Sequence, residues 1–225
     1  MRVAIIIPAL NEAGNIRRLI DEIPAQLASQ IIVVDNGSTD ATADEANAAG
    51  ALVVHEDRQG YGYACAAGVR AAPIADILVF MDGDGSFAPS ELPLLLAPLQ
   101  ADQADLVLGT RMASKISPEA MPLHQHFGNW LVSQLMRRLY HIQVTDLGPY
   151  RAIRRDLLQS LQMREMTFGW PTEMMVKTAK RDSRIVEIPV SYRKRWSGKS
   201  KVSGTVRGTL LAAYYILGVT LRYAR

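Results

Sequence analysis

The sequence predicts an α/β protein built on a mainly parallel, doubly wound sheet flanked by helices. Short apolar runs rich in β-branched residues alternate with segments of helical periodicity, which is typical of strand–helix–strand units. Three of these apolar runs end directly in polar residues, at the strand ends where open α/β sheets bind their ligands. No stretch rich in Gly, Ser or Pro divides the 225 residues, and we therefore expect a single domain over residues 1–225.

The elements of the first 110 residues follow from this alternation. We expect buried strands at residues 3–7, 31–34, 51–54, 77–80 and 106–108. We expect helices at residues 11–28, 38–49 and 64–72. Asn11 is predicted to cap the first helix, and Ser38 or Thr39 the second, because short polar side chains accept hydrogen bonds from free N–H groups there.

The pattern changes after residue 110. A polar stretch at residues 112–125 leads to a helix predicted at residues 129–140, with Leu131, Leu135 and Leu139 on one face. Near the end of the chain, Gly208 to Leu221 form a run of 14 uncharged residues. A bilayer span needs about 20 apolar residues, so this run favours a core or docking helix. Its two tyrosines and basic flanks leave an interfacial helix as the alternative.

Charge is unevenly distributed along the chain. Residues 1–150 hold 9 basic and 17 acidic residues, a net charge of −8, whereas residues 151–225 hold 16 and 5, a net charge of +11. The later segment is expected to meet anions such as phosphates or an acidic membrane surface, or to form a solvated basic face. Nucleic acid is disfavoured because no recognisable binding module accompanies the charge.

The compartment is predicted from the cysteine count and the amino terminus. Cys65 is the single cysteine, which excludes an intramolecular disulfide. The first apolar run is too short for a signal peptide and lacks a cleavage pattern. We expect a cytoplasmic protein, with a peripheral position on the inner face of the membrane as a further option.

Asp82 and Asp84 follow the fourth apolar run and are separated only by Gly83. On a strand, the two carboxylates share a face and both reach one divalent cation. Their hard oxygens suit Mg²⁺ or Mn²⁺ bridging a diphosphate, and Gly83 allows close approach of a ligand to the backbone. The alternative is a polar turn with two solvated aspartates.

Asp35, Gly37 and Ser38 follow the second apolar run and admit two interpretations. In the structural one, Ser38 or Thr39 caps a helix and Gly37 makes the turn. In the functional one, the carboxylate of Asp35 accepts hydrogen bonds from a base or ribose. Spacing alone favours the cap.

Five ordered motifs, at residues 8–12, 34–40, 82–84, 145–151 and 195–201, together resemble the family 2 glycosyltransferases with the Rossmann-like GT-A fold. They look like those of bacterial relatives of dolichyl- and polyprenyl-phosphate sugar transferases, and the match covers nearly the whole chain. The resemblance implies inverting transfer of a sugar from a nucleotide-sugar, usually with Mg²⁺ or Mn²⁺. We favour a UDP- or GDP-sugar as donor and a polyprenyl phosphate as acceptor, with a soluble acceptor as runner-up.

The resemblance also implies roles for individual residues. The nucleotide-sugar site would comprise Pro8, Asn11, Glu12, Asp35, Gly37, Ser38, Asp82 and Gly83, joined by Arg195, Lys199 and Lys201 from a basic loop that closes over phosphates. The metal would be held by Asp82 and Asp84, with Asp84 as the main ligand. Arg111 would face an acceptor phosphate, and Asp146 would be the base or the acceptor-orienting group, held near Arg151.

Several of these functional roles have a purely structural alternative. Asp146 could cap a helix or turn, Arg151 could form a structural ion pair, and the basic loop could be merely solvated. Trp196 either packs on the sugar or anchors its loop, and Glu173 either borders the acceptor site or serves as a helix-cap carboxylate. Residues 1–110 would bind the nucleotide-sugar, residues 111–204 the acceptor, and residues 205–225 would form the terminal helix.

Two departures from the family pattern concern the acceptor. Pro149 and Tyr150 stand where relatives usually carry Gly and Phe, and Trp196 stands where a smaller residue is common. Both leave the acceptor's identity open. A catalytically inactive nucleotide-sugar-binding protein is the non-enzymatic alternative, and the terminal helix could also pair subunits in a homo-oligomer.

Overall fold

The computed structural model describes residues 1–111, 123–198 and 206–224. Seven strands form one mixed sheet: β1 (Val3–Ala9), β2 (Gln30–Asp35), β3 (Leu52–His55), β4 (Ile77–Phe80), β5 (Leu106–Thr110), β6 (Arg151–Arg154) and β7 (Ile185–Pro189). The helices described are α1 (Ile16–Asp21), α2 (Thr42–Ala48), α3 (Tyr61–Ala71), α4 (Leu92–Gln100), α5 (Leu123–Tyr140), α6 (Arg155–Leu161), α7 (Trp170–Ala179) and α8 (Val206–Arg222). The α/β fold class predicted from the sequence is confirmed.

The strand order across the sheet is β3-β2-β1-β4-β6-β5-β7. β1 pairs in parallel with β2 and β4, and β5 pairs in parallel with β7. β6 is antiparallel to both of its neighbours, β4 and β5. The sheet is therefore mainly parallel, as predicted, with one reversed strand that the sequence pattern did not reveal.

The sheet is buried on both faces, which explains its continuous apolar strands. Ile5 and Ile7 of β1 lie in the cluster that includes α1 and α4, while Ile6 lies in the opposite cluster with α3 and α7. Each large aliphatic side chain buried in this way contributes about 1.5–3 kcal/mol. The buried sheet therefore holds the ends of its strands in fixed positions.

The predicted first helix was too long, and its predicted cap was wrong. α1 begins only at Ile16, because Asn11 and Gly14 adopt left-handed conformations, with φ of 50° and 80°, that interrupt a helix. The side-chain oxygen of Asn11 accepts a hydrogen bond from the backbone N–H of Thr39 instead, at 2.7 Å. The caps predicted at Ser38 and Thr39 were also wrong, since α2 begins at Thr42, whose N–H donates to Asp40.

Two further helix predictions needed correction. α3 begins at Tyr61, three residues earlier than predicted, and α5 extends back to Leu123. Leu131, Leu135 and Leu139 are all half-buried, while Val132 and Met136 beside them are the deeply buried apolar residues of α5.

The terminal helix α8 packs on α5 and α7 through its last turns. Val219 and Thr220 are buried, and the hydroxyl of Tyr140 donates to the carbonyl oxygen of Thr220. Leu210 and Tyr214 on the same helix are 65% and 72% exposed. Among the described residues, no helix has both the length and the apolar content to cross a bilayer.

Candidate functional site

A cluster of carboxylates lies beyond the carboxyl ends of β1 and β4. Asp82 and Asp84 belong to the turn that follows β4, so the prediction that they share a strand face was wrong. Gly83 lies against the side chain of Glu12 and the carbonyl of Pro8, leaving about the space of one added carbon. The structure therefore brings Pro8, Glu12, Gly83 and both aspartates together.

The charges in this cluster are poorly compensated. Burial, then the negative charges of Asp84 and Glu12, raises the pKa of Asp82 to about 7, against the opposing charges of Arg111 and Arg195. Like charges held this close favour protonation or a bound cation. The donor set is all hard carboxylate oxygen, which fits Mg²⁺ or Mn²⁺.

The protein offers only part of a coordination sphere. Among the described residues, no group of three or more His, Cys, Asp or Glu side chains is arranged to hold a metal ion. The Oδ1 atom of Asp84 accepts the N–H of Ser86 at 2.9 Å, and its Oδ2 atom accepts Nη2 of Arg195 at 2.6 Å. A cation here would need further ligands from water or from a bound phosphate, as Mg²⁺ commonly does.

Asp35 lies at the end of β2, at the same edge of the sheet as the carboxylate cluster. One of its carboxylate oxygens accepts the backbone N–H of Ser38 at 2.9 Å and so shapes the turn through Gly37. The other lies 3.2 Å from Nδ1 of His55, at the end of β3. The Ser38 hydroxyl in turn accepts the N–H of Asn11. These four predicted positions therefore lie together, and His55 joins them.

His55 and Asn36 were not singled out as site residues in the sequence. The side chain of Asn36 donates to the carbonyls of Glu56 and Arg58 and accepts the N–H of Gly60. It thereby fixes the loop between β3 and α3. An asparagine directly after a buried strand was the available signal.

Asp146 pairs directly with Arg111, and Arg151 lies near enough for its charge to interact with that of Asp146. Arg111 donates from Nε, Nη2 and its backbone N–H, at 2.7, 2.7 and 2.9 Å, and Asn129 donates at 3.0 Å. Burial acts to raise the pKa of Asp146, but the hydrogen bonds and charge of Arg111 outweigh it, so the pKa lies below its ordinary value. Both oxygens of this carboxylate are occupied.

The guanidinium of Arg151 is buried beneath the same segment. It donates to the carbonyl oxygens of Leu147, Gly148 and Pro171, and burial lowers its pKa to about 10. Gly148 packs so closely on Gly109 that an added Cβ would lie 2.2 Å from the carbonyl oxygen of Gly109. Arg151 therefore shapes the 145–150 segment by binding its carbonyls, a role that neither prediction for it included.

The segment at residues 190–198 brings Arg195 to the carboxylate cluster, where it pairs with Asp84. Trp196 contacts Gly85 and two arginines, which favours the loop anchor over packing on a sugar. Tyr192, which sequence reasoning missed, lies with its ring 5.0 Å from the guanidinium carbon of Arg111. Lys199 and Lys201 lie outside the described residues.

Glu173 is fully buried in the first turn of α7, but it does not cap that helix. It accepts hydrogen bonds from the N–H groups of Arg164 and Glu165 and from the hydroxyl of Tyr223, and it pairs with Lys177 at 2.8 Å. It therefore ties the end of the chain to α7.

Comparison with known proteins agrees with this geometry. Residues 4–162 match the family model described as glycosyl transferase family 2. An uncharacterised glycosyltransferase of Mycobacterium tuberculosis is 40% identical over 93% of this chain and 94% of its own. An undecaprenyl-phosphate mannosyltransferase of Micrococcus luteus is 33% identical over 99% of this chain and 96% of its own.

Solved structures show the same architecture. Glucosyl-3-phosphoglycerate synthase of Mycobacterium tuberculosis, in complex with Mn²⁺, uridine diphosphate and phosphoglyceric acid, superposes with a TM-score of 0.78 at 25% identity. The match covers 99% of this chain and 78% of that one. The carboxylate cluster described above thus lies in a fold that holds a metal ion and a nucleotide in that neighbour.

Proposed function

The chain belongs to glycosyl transferase family 2 and is a glycosyltransferase, and on that premise we propose that it transfers a sugar, with inversion, from a UDP- or GDP-sugar to a polyprenyl phosphate. The observation that carries the proposal is the under-compensated pair Asp82 and Asp84, facing Arg195 at the edge of the sheet. Such a pair suits a divalent cation and the diphosphate of a donor. The name of the Micrococcus luteus relative supports the lipid acceptor.

The donor would occupy the crevice formed by the carboxyl ends of β1, β2 and β4. Its pocket would be lined by Pro8, Asn11, Glu12, Asp35, Gly37, Ser38, Asp82 and Gly83. Asp84, with Asp82, would hold Mg²⁺ or Mn²⁺, which when bound supplies positive charge to the leaving nucleoside diphosphate. Arg195, and Lys199 and Lys201 beyond the described residues, would add positive charge to the same diphosphate.

The acceptor needs positioning more than it needs a base. A phosphate monoester is already an anion, so its oxygen can attack the anomeric carbon as the bond from that carbon to the donor diphosphate breaks. Arg111 would orient this phosphate, and Asp146 would orient Arg111 through their bidentate pair. With both oxygens of Asp146 occupied, the acceptor-orienting role is the one the geometry favours, and Arg151 would support it from beneath.

A lipid acceptor would be reached from the membrane surface. Residues 1–110 would form the donor half, residues 111–204 the acceptor half, and residues 205–225 the terminal helix. Leu210, Tyr214 and Leu221 are exposed on α8, which carries no acidic residue, so the helix could lie on the cytoplasmic face of an acidic bilayer. The competing use of this apolar surface is to pair two subunits.

The test is a matrix of donors and acceptors. Purified protein is incubated with UDP- or GDP-hexoses and either a polyprenyl phosphate in detergent or 3-phosphoglycerate, with Mn²⁺ or with EDTA. We expect release of a nucleoside diphosphate only with one nucleotide, with the lipid acceptor, and without EDTA. Full turnover in EDTA would contradict the metal role, and donor binding without any transfer would indicate an inactive binding protein.

Transfer to a soluble phosphate is the second candidate. The observation in its favour is the structural neighbour crystallised with phosphoglyceric acid. Arg111 would serve a soluble phosphate as well as a lipid phosphate, because the guanidinium recognises the same group in both. Turnover with 3-phosphoglycerate at the rate found with the lipid, or faster, would favour this candidate.

A further inference from the structure

The segment at residues 190–198 runs along the turn that carries the carboxylates. Ser191 donates to Glu91 from its backbone and its hydroxyl, at 2.8 and 2.7 Å. Phe87 and Tyr192 form a bridge with ring centroids 5.1 Å apart, and the N–H of Arg193 donates to the carbonyl of Ser86. These contacts join residues 191–193 to residues 86–91, the part of the chain that follows Asp84.

Trp196 anchors the same segment beyond these contacts. The guanidinium carbons of Arg18 and Arg193 lie 4.3 and 4.4 Å from the indole centroid, and both arginines pair with Glu22. A Cβ placed on Gly85 would lie 2.3 Å from the indole ring, so the ring needs a glycine at that position.

The anchored indole directs the preceding residue, Arg195, at Asp84. Nη2 of Arg195 lies 2.6 Å from Oδ2 of Asp84, and the side chains are only 19% and 10% exposed. The other oxygen of Asp84 is engaged by the N–H of Ser86. Oδ2 is therefore the oxygen at which a divalent cation would displace the guanidinium.

We propose that Arg195 and the divalent cation exchange places on Asp84, and that Trp196 is the positioning residue for this exchange. When the cation takes Oδ2 of Asp84, the guanidinium is freed to bind the diphosphate of the donor. Cation and nucleotide then bind cooperatively, because the diphosphate offers Arg195 a new partner. By linkage, each ligand strengthens the other by the same factor. The proposal rests on the metal role given to Asp84 in the proposed function.

The exchange is tested by calorimetric titration of Mn²⁺ into the full chain, alone and with saturating UDP or GDP. Arg195→Gln removes the competitor, so we expect Mn²⁺ affinity without nucleotide to rise about 3- to 10-fold. The strengthening by nucleotide, about tenfold or more in the wild type, is expected to shrink. Lys194→Gln removes an equal charge from the neighbouring exposed residue and should change neither quantity.

The outcomes separate the two proposals. Unchanged or weaker Mn²⁺ binding in Arg195→Gln overturns the exchange, even if Asp84→Asn abolishes Mn²⁺ binding and so supports the metal site. Unchanged Mn²⁺ binding in Asp84→Asn overturns the metal role and the exchange together.

Trp196 is tested by two substitutions that differ in whether they keep an aromatic ring. Trp196→Phe should retain the cooperativity between Mn²⁺ and nucleotide, whereas Trp196→Leu should reduce it several-fold. The melting temperature of each variant reports on folding. Equal cooperativity in both variants, with a lower melting temperature in Trp196→Leu, would show a purely structural tryptophan and overturn its positioning role.

Discussion

Two carboxylate centres at one edge of the sheet differ in how their charge is balanced. Asp146 is 2% exposed, yet its pKa lies below the ordinary value, because the hydrogen bonds and charge of Arg111 outweigh the effect of burial. The pKa of Asp82 is raised to about 7, because burial and the adjacent Asp84 oppose its charge. The charge of Asp146 is balanced by Arg111, whereas the charge of Asp82 is opposed on balance. The contrast is the reason for proposing the cation site at Asp82 and Asp84.

The largest expected effect is that of Asp84→Asn on turnover. We expect sugar transfer to fall at least about 10³-fold, or about 4 kcal/mol of transition-state stabilisation. The melting temperature should change little, because the relief of repulsion with Asp82 offsets the loss of the charged pair with Arg195. Release of nucleoside diphosphate and differential scanning fluorimetry measure the two quantities.

The matched control for that substitution is Asp44→Asn, which neutralises an exposed acid on α2. It should leave both turnover and melting temperature unchanged. A large loss of stability in Asp84→Asn would mean that Asp84 stabilises the fold as Asp146 does. The contrast between the two carboxylate centres would then be wrong.

Asp146→Asn should instead lower the free energy of unfolding. It removes the carboxylate that pairs with the guanidinium of Arg111, whose side chain is only 11% exposed. Removing one partner of a buried pair costs about 3–5 kcal/mol, which urea denaturation would measure.

The double variant Arg111→Met, Asp146→Leu sharpens this test. It removes both charges, so it should cost less stability than Asp146→Asn alone. If Asp146→Asn abolished transfer while leaving the urea midpoint unchanged, Asp146 would act as a base rather than as the partner of Arg111.

Glu173→Gln should have a smaller structural effect. The carboxylate serves Lys177, Tyr223 and two backbone N–H groups, and the amide can accept fewer of these bonds. We expect a loss of about 1–3 kcal/mol in the free energy of unfolding. Tyr223→Phe, which removes one of the bonds, should lose about 1 kcal/mol. Unchanged stability together with lost transfer would move Glu173 into the acceptor site.

The smallest effect is a dependence of cation binding on pH. An acid whose folded pKa is raised binds a proton that the unfolded chain has lost, so its contribution to stability is present at low pH and is lost as the pH rises through about 7. Mg²⁺ binds the ionised form and should therefore raise the melting temperature more at pH 8 than at pH 6. Asp82→Asn should remove that difference, and an equal shift at both pH values would contradict it.

The elements that the sequence predicted correctly are those with strong local signals. β1 and β4 are continuous apolar runs buried on both faces, and the acids after β4 could be placed from that pattern. β6 was missed because it consists of four residues, Arg151–Arg154, with an arginine at each end. Its first arginine is stabilised by carbonyls up to 20 residues away, which no local pattern shows.

The site was predictable in its composition but not in its contacts. Arg111 and Asp146 were both singled out, yet their pairing joins residues 35 positions apart. Asn11 was wrongly made a helix cap, because its left-handed backbone depends on contacts with Ser38 and Thr39. Trp196 was left between two roles because Arg18, which lies against it, is far away in the chain.

The direction of one strand decides which part of the chain can serve the crevice. Because β6 runs opposite to its neighbours, its first residue, Arg151, is in register with Phe80 and Leu108 near the carboxyl ends of β4 and β5. The segment that precedes β6 therefore emerges beside the acids. Had β6 run parallel, that segment would start from the opposite edge, about 10 Å away across the strand. The reversed direction of β6 thus places at one edge of the sheet both the segments that follow the parallel strands and the segment that precedes β6.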